Sequence, residues 1–246
     1  MKALARWIGL LLVAGCALEI FLVARIALAA TMDPQSTAFQ RSEAFRIERD
    51  KGRLRWSQQW VPYAQISDNL KRAVIASEDD SFTNHDGVDW EALEKAWDRN
   101  QKAEERAARQ PSRAKSAAVA ARPVKVVGGS TITQQLAKNL QLSGERTLLR
   151  KGQEIVLTFA LEKMTSKERI LEIYLNSVEW GEGVFGAEAA ARHYYRKGAA
   201  QLTAYEAARL AVMLPRPRYF EKLPHSGYLA SRASTIASRM RGAELP

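Results

Sequence analysis

A cluster of carboxylates occupies the ten residues EDDSFTNHDG at positions 78–87. A solvated charge run, a metal loop or a catalytic carboxylate at a helix end would each explain it. Upstream, Ile66, Leu70 and Val74 recur every fourth residue, and Glu78 follows one turn later on the same helix side. A carboxylate against an apolar helix face has a raised pKa and can serve as a general base near neutral pH. The spacing therefore predicts Glu78 as a base, with Asp79 at the helix end.

Two later segments could bind a departing diphosphate, which requires fixed positive charge. GGSTITQQLAKN at 128–139 and RTLLRKGQE at 146–154 supply Lys138 and Arg146 as the cations. Glu154 could hold a divalent cation against the diphosphate, or it could orient the neighbouring Arg150 and Lys151. The other candidates for this site are the residues that follow the two glycines at 128 and 129: Ser130, Thr131, Gln134 and Gln135.

Most of the chain has the 3.6-residue periodicity of helices, so the predicted fold class is mainly α. Thr131 with Gln134, Thr165 with Glu168 and Thr203 with Glu206 have the spacing of capping boxes at helix starts. A polar stalk is expected over 31–44, and a β-hairpin around Lys51-Gly52 over 45–60. Residues 45–220 form the predicted main domain, interrupted at 99–125 by a basic flexible insertion or lid, and 221–246 form a predicted tail.

The segment WIGLLLVAGCALEIFLVARIALAA at 7–30 is apolar enough to cross a membrane, at roughly 36 Å of helix. Lys2 and Arg6 precede it, which places residues 1–30 as a cytoplasmic tip and transmembrane signal anchor with the remainder outside the cytoplasm. A cleaved signal ending at 27–29 and a lipoprotein attached through Cys16 are the alternatives. Glu19 is the costly residue in this span.

The composition of the chain limits which classes of binding partner are expected. The 246 residues carry a formal net charge of +10, which favours an anionic partner such as lipid or a phosphorylated substrate. The export signal argues against nucleic acid, and the basic 99–125 stretch could lie on anionic headgroups. A single cysteine and three dispersed histidines argue against a disulfide framework and a histidine or cysteine metal site.

Five motifs in fixed order give the sequence a specific resemblance: EDDSFTNHDG, GGSTITQQLAKN, RTLLRKGQE, ILEIYLN at 170–176 and GVFGAEAAARHYY at 183–195. The set resembles the peptidoglycan glycosyltransferases of family 51, which include monofunctional membrane-anchored enzymes and the first module of class A penicillin-binding proteins. The resemblance covers about residues 45–215. It implies a lysozyme-like glycosyltransferase domain preceded by one N-terminal transmembrane helix.

The resemblance also implies roles. Glu78 would deprotonate the 4-hydroxyl of incoming lipid II, and Glu154 would assist the leaving undecaprenyl diphosphate, with Mg²⁺ or Mn²⁺ as the expected cofactor. Lys138 and Arg146 match the family's diphosphate-binding positions. The supporting residues of these motifs are Asp79, Phe82, His85, Gly87, Arg150, Lys151 and Asn176. The product would be a β-1,4-linked glycan, formed with inversion on the periplasmic side of the bacterial inner membrane.

Three other functions share parts of this pattern. A lytic, lysozyme-like glycan cleaver would use one acidic Glu but would not need Lys138 and Arg146. A scaffold that binds lipid II and other cell-wall synthesis and division proteins would need no catalysis. The transpeptidase-like strings SDN at 67–69 and SRAK at 112–115 occur in the wrong order, with no Lys-Thr-Gly after them, so no transpeptidase activity is expected.

Overall fold

The computed structural model describes residues 2–109, 129–142 and 147–246, and helices dominate these ranges. The helices are α1 (Lys2–Thr31), α2 (Ala38–Lys51), α3 (Asp68–Glu78), α4 (Trp90–Arg109), α5 (Ile132–Gln141), α6 (Leu148–Met164), α7 (Lys167–Ser177), α8 (Ala187–Tyr195), α9 (Ala204–Met213), α10 (Pro217–Glu221) and α11 (Gly227–Arg239). The strands are β1 (Ser57–Gln58), β2 (Glu179–Gly181) and β3 (Val184–Phe185). The mainly helical prediction is confirmed.

The three short strands form one small sheet in the order β1-β3-β2. β1 runs parallel to β3, with Ser57 opposite Val184, and β2 runs antiparallel to β3. Gly183 precedes β3 with φ +75°, and a Cβ there would lie 2.2 Å from the Arg55 carbonyl oxygen. Only glycine permits this close approach of the two backbone segments.

Helix α3 lies in the centre of the core, packed against α9 and α11. Its predicted stripe is confirmed at Leu70 and Val74, which are buried; Ile66 is buried as well but precedes the helix, which begins at Asp68. Ser67 caps its N-terminus by accepting a hydrogen bond from the Asn69 amide at 3.2 Å. The helix ends at Glu78, so the core fixes this residue in place.

The predicted caps are mostly confirmed. Thr131 with Gln134 and Thr203 with Glu206 form capping boxes at the starts of α5 and α9. The third prediction was one residue off: Ser166, rather than Thr165, caps α7 by accepting from the Arg169 amide.

The predicted hairpin at 45–60 was wrong, because α2 runs through to Lys51. Gly52 adopts φ +65° as the left-handed C-cap of that helix, a conformation that glycine supplies equally to hairpin turns and to helix ends. Thr37 and Gln40 form a capping box at the helix start, and Gln40 Nε2 donates to the Ser177 carbonyl at 3.2 Å. The domain thus begins near 37, which shortens the predicted stalk of 31–44.

The predicted tail at 221–246 was also wrong. Helix α11 packs against α9 and α3, with Leu229, Ala233 and Ile236 buried in the core. At the predicted insertion, α4 continues through 99 to Arg109, and residues 110–125 lie outside the described ranges.

Helix α1 is the one helix among the described residues that is long and apolar enough to span a membrane. Most of its side chains are exposed, as expected for a helix whose environment would be lipid. Leu22, Ile26 and Ala29 are buried, and its C-terminal part packs against α6. The transmembrane prediction agrees with this finding.

An ionic cluster joins α2, β2 and α10. Arg218 donates through Nε and Nη2 to the two carboxylate oxygens of Glu179, both at 2.9 Å, and also pairs with Glu43. Glu179 is 5% exposed. Burial raises the pKa of Glu179, while the hydrogen bonds and charge of Arg218 lower it.

Replacing Arg218 by Met is expected to reduce the free energy of unfolding by about 3 kcal/mol, because it leaves a buried carboxylate without its cation. The loss should shrink as the pH falls, since the raised pKa of Glu179 rises further in the variant and protonation removes the unpaired charge. Thermal unfolding at several pH values measures both effects. The control Arg49→Met removes an exposed pair with Asp50 and should leave stability nearly unchanged. Equal melting temperatures for Arg218→Met and wild type would contradict the prediction.

Candidate active site

A cleft opens beside the C-terminal end of α3, and Glu78 is one of its lining residues. The lead-in to α5, Gly129 to Thr131, forms another part of the wall. A Cβ on Gly129 would lie 3.3 Å from Leu93 Cα, so this glycine allows the lead-in to pack closely on α4. The cleft is therefore framed by the ends of α3 and α5 and by the start of α4.

Glu78 is half-buried and held by a chain of hydrogen bonds. Gln135 Nε2 donates to Glu78 Oε2 at 3.2 Å, and the Tyr174 hydroxyl donates to Gln135 Oε1 at 3.0 Å. Burial raises the pKa of Glu78, and the charge of Asp79 adds to the rise, while hydrogen bonds from Gln135 and Ser77 lower it. Burial raises the pKa of Tyr174 well above its ordinary value, so its hydroxyl stays a donor. Glu78 is thus an oriented carboxylate with a raised pKa in an accessible cleft.

Asp79 ties the end of α3 to the start of α5. Its Oδ2 accepts from the Ile132 amide at 2.9 Å, and its Oδ1 lies 3.0 Å from His85 Nε2. His85 Nδ1 accepts from the Gly87 amide at 3.1 Å, so Nε2 carries the proton that is donated to Asp79. Both side chains are nearly fully buried, with 8% of His85 and 3% of Asp79 exposed. Asp79 therefore lines the cleft beside Glu78 and joins its two walls, while His85 holds Asp79 in place from behind.

Thr131 and Gln134 are engaged within the protein. The Thr131 hydroxyl donates to the Gly87 carbonyl at 2.6 Å, and Gln134 Oε1 accepts from the Thr131 amide at 3.0 Å. Gly87 itself has φ +89°, and a Cβ there would lie 2.7 Å from Thr158 Cγ2. Ser130 is exposed on the cleft wall. Of the four predicted diphosphate contacts near the glycines, Gln134 is a buried cap residue, Gln135 orients Glu78, and Ser130 and Thr131 line the cleft.

Glu154 lies on α6 and is 3% exposed. Arg150 Nη1 donates to Glu154 Oε2 at 3.1 Å, and Lys151 pairs with Oε1. Both carboxylate oxygens are thus engaged by cations. Contacts that the structure describes for Glu154 do not include Glu78, so the two predicted catalytic carboxylates occupy separate positions on neighbouring parts of the domain.

Of the two cations predicted to bind the diphosphate, the structure describes one. Lys138 is exposed on α5, one turn beyond Gln135, and α5 packs against α6. It therefore lies on the helix that connects the Glu78 and Glu154 regions. Arg146 lies outside the described residues.

Two supporting residues are structural. Asn176 is buried, with Oδ1 accepting from the Val61 amide and Nδ2 donating to the Val61 carbonyl, both at 2.9 Å. Phe82 is fully buried beneath Lys167, whose Nζ lies 4.6 Å from the ring centroid. Neither lines the cleft.

Sequence reasoning missed the arginines of α11. Arg232 and Arg239 line the cleft, and Arg239 Nη2 lies 3.0 Å from Asp80 Oδ2. Their seven-residue spacing places both on one helix face. That spacing, together with the buried stripe of α11, was the available signal.

A resident metal site is not supported by the residues that the structure describes. These ranges contain no group of three His, Cys, Asp or Glu side chains placed to hold an ion. Glu154 already pairs with two cations, which would compete with a divalent ion. The expected Mg²⁺ or Mn²⁺ stays a prediction.

Known proteins resemble this chain over most of its length. A sequence model of the family described as Transglycosylase matches residues 48–241. A protein of Bordetella pertussis named biosynthetic peptidoglycan transglycosylase is 54% identical over 214 residues, 87% of this chain and 82% of that protein. A protein of the same name from Burkholderia orbicola is 50% identical over 248 residues, 99% of this chain and 94% of that protein.

Proposed function

Because this chain belongs to the transglycosylase family and is a peptidoglycan glycosyltransferase that builds glycan strands, we propose that it polymerises lipid II with Glu78 as the general base. The observation that carries the mechanism is the position of Glu78. It is a carboxylate of raised pKa, at a helix end fixed by the core, open to a cleft and oriented by Gln135.

In the proposed step, the 4-hydroxyl oxygen of incoming lipid II attacks the anomeric carbon of the growing chain. The bond from that carbon to the undecaprenyl diphosphate oxygen breaks, and the hydroxyl proton passes to Glu78. Attack and departure on opposite faces invert the anomeric centre and give a β-1,4 linkage. Gln135 keeps Glu78 Oε2 oriented through this transfer, and Tyr174 keeps Gln135 oriented.

The leaving diphosphate needs positive charge, which this chain supplies along α5 and α6. Lys138 is exposed on α5, and Arg150 and Lys151 are fixed by Glu154 on α6. We assign Glu154 the task of holding these two cations where charge develops on the diphosphate.

Helix α1 supports a proposal for where the protein is located in the cell. We propose that α1 anchors the protein in the bacterial inner membrane and that the catalytic domain faces the periplasm, because Lys2 and Arg6 precede the apolar segment. This orientation brings the domain to the leaflet in which lipid-linked substrate would be presented.

The direct test is polymerisation of labelled lipid II by the full-length protein in detergent or in vesicles. Long glycan strands attached to undecaprenyl diphosphate are expected. Soluble fragments released from finished peptidoglycan, without polymer, would instead identify a lytic enzyme. Binding of lipid II by folded protein without any product would identify a scaffold.

The pH dependence of the reaction should depend on Gln135. Its hydrogen bond lowers the pKa of Glu78, so Gln135→Leu should raise that pKa further. The base must be unprotonated to act, and the acid limb of kcat/KM against pH should therefore move to higher pH in the variant.

The control for this profile is Gln101→Leu, an exposed position on α4. Its acid limb should coincide with that of the wild type. Tyr174→Phe, which removes the donor to Gln135, should shift the limb in the same direction as Gln135→Leu and by less. Coinciding acid limbs for Gln135→Leu and wild type would show that Glu78 is not the group that titrates.

A further inference from the structure

The C-terminal part of α1 is docked on the catalytic domain. The helix has 30 residues, which makes it about 45 Å long against roughly 30 Å of bilayer hydrocarbon. Leu22, Ile26 and Ala29 are its buried residues, spaced to lie on one face. Glu19 stands three residues before Leu22, at the start of that face. The anchor is thus partly a lipid-exposed helix and partly a packed element of the domain.

Glu19 makes a specific polar contact at the start of this docked face. Gln153 Nε2 of α6 donates to Glu19 Oε1 at 2.7 Å. Glu19 Oε2 is buried and has no hydrogen-bond partner within the part of the chain that the structure describes. A carboxyl group in a membrane-spanning helix costs free energy of insertion, and such groups usually pair with a partner and have a function.

A second contact fixes the other end of the docked part. Arg169 of α7 donates through Nε to the Ala29 carbonyl at 3.1 Å and pairs through Nη1 with Asp33 at 2.8 Å. Two polar contacts about ten residues apart, one at Glu19 and one at Ala29, set both the rotation and the axial position of α1. The buried stripe of Leu22, Ile26 and Ala29 already selects the face of α1 that packs on the domain, and the two polar contacts add directional bonds at its two ends.

We propose that Glu19 is a positioning residue for the proposed reaction: through Gln153 it fixes α1 against α6, the helix that carries Glu154. Gln153 is the immediate neighbour of Glu154, which holds Arg150 and Lys151. Helices α1 and α6 then move as one rigid unit. The cations of α6 are therefore held at a constant distance from the membrane surface. This inference depends on the proposed function for its catalytic consequence, but the docking itself does not.

The activity test compares Glu19→Leu with Glu19→Gln in lipid vesicles. Leu inserts into a membrane at least as well as Glu, so a role in tethering alone predicts undiminished activity for Glu19→Leu. A positioning role for Glu19 predicts that Glu19→Leu loses about tenfold in kcat/KM. Most of this loss should be in kcat, because the cations that bind the leaving group are displaced. Glu19→Gln should retain activity, since its amide oxygen can accept the same hydrogen bond. The control Ile20→Ala changes an exposed residue beside it.

Gln153→Leu and the Glu19→Leu/Gln153→Leu double variant complete a cycle. A coupled pair predicts that the double variant is no worse than either single variant. Undiminished activity of Glu19→Leu would overturn the proposal. A Glu19→Gln variant as impaired as Glu19→Leu would show that charge matters rather than this hydrogen bond, and it would overturn the pairing.

Cross-linking tests the docking without any catalysis. In a Cys16→Ser background, which removes the one cysteine of the chain, cysteines at positions 19 and 153 should be joined by a short bis-maleimide in membranes. Cysteines at positions 21 and 153 should not, because Phe21 is exposed on the far side of α1. Cross-linking without polymer from the wild type would refute the proposed function while leaving the docking intact. A second pair of cysteines, at positions 29 and 169, leaves Glu19 and Gln153 in place, and absence of both the 19–153 and the 29–169 cross-links would refute the docking.

Discussion

Glu78→Gln should polymerise lipid II about 10²- to 10⁴-fold more slowly than the wild type, the loss expected when a positioned base is removed. Glutamine has nearly the shape of glutamate, and its amide can still meet Gln135, so the fold and the cleft should persist. It cannot accept the proton of the attacking hydroxyl. The measurement is the initial rate of polymer formation from labelled lipid II, with protein amount and folding verified by thermal unfolding.

The matched control is Glu48→Gln, the same substitution at an exposed position on α2. This change should have little effect on rate. Binding of lipid II should survive in Glu78→Gln, so a fall in kcat with KM nearly unchanged is expected. Polymerisation at the wild-type rate by Glu78→Gln would move the base to another residue.

The position of Glu78 at the end of a core helix could be predicted because its signal is local. The stripe of Ile66, Leu70 and Val74 continues by one helical turn to Glu78, and all three apolar residues are buried in the structure. Its orientation could not be predicted in the same way. Gln135 is 57 residues away in sequence, and the contact depends on how α3 and α5 pack.

Errors in the fold arose where one local signal fits two structures. Lys51-Gly52 suggested a hairpin turn, but the positive φ of Gly52 ends a helix. In α11 the stripe of Leu229, Ala233 and Ile236 was present in the sequence, and the prediction of a tail overlooked it. The consequence was functional, since Arg232 and Arg239 of that helix line the cleft.

Long-range polar pairs were the least predictable part of the molecule. From the sequence alone, Glu19 was only a residue whose charge is costly in a membrane span. Its partner Gln153 lies 134 residues away and could not be predicted. Asp79 was expected at a helix end, yet its hold on the Ile132 amide across 53 residues joins the two halves of the cleft. Such pairs depend on tertiary packing, which leaves no trace in local residue spacing.

Glu154→Gln should lower kcat by about 10²- to 10³-fold, the range for loss of one preorganised electrostatic contact. The glutamine side chain keeps the shape of Glu154 but loses its charge, so Arg150 and Lys151 are no longer fixed by it. These cations are then free to turn toward solvent, because Lys151 is already 44% exposed. Steady-state rates at saturating lipid II measure this loss, and Glu168→Gln, an acidic position on α7, serves as the control.

Chelation separates the two roles that Glu154 could have. If Glu154 positions Arg150 and Lys151, removing divalent cations with EDTA should reduce the activities of the wild type and of Glu154→Gln by the same factor. If Glu154 instead holds the metal, chelation should reduce only the wild type, since the variant would already lack the ion. The engagement of both carboxylate oxygens by cations favours the first result. An Arg150→Met/Lys151→Met double variant should then resemble Glu154→Gln, because all three changes disable the same cationic group. If Glu154 instead held a metal, adding Glu154→Gln to that double variant would still cause most of its loss of rate.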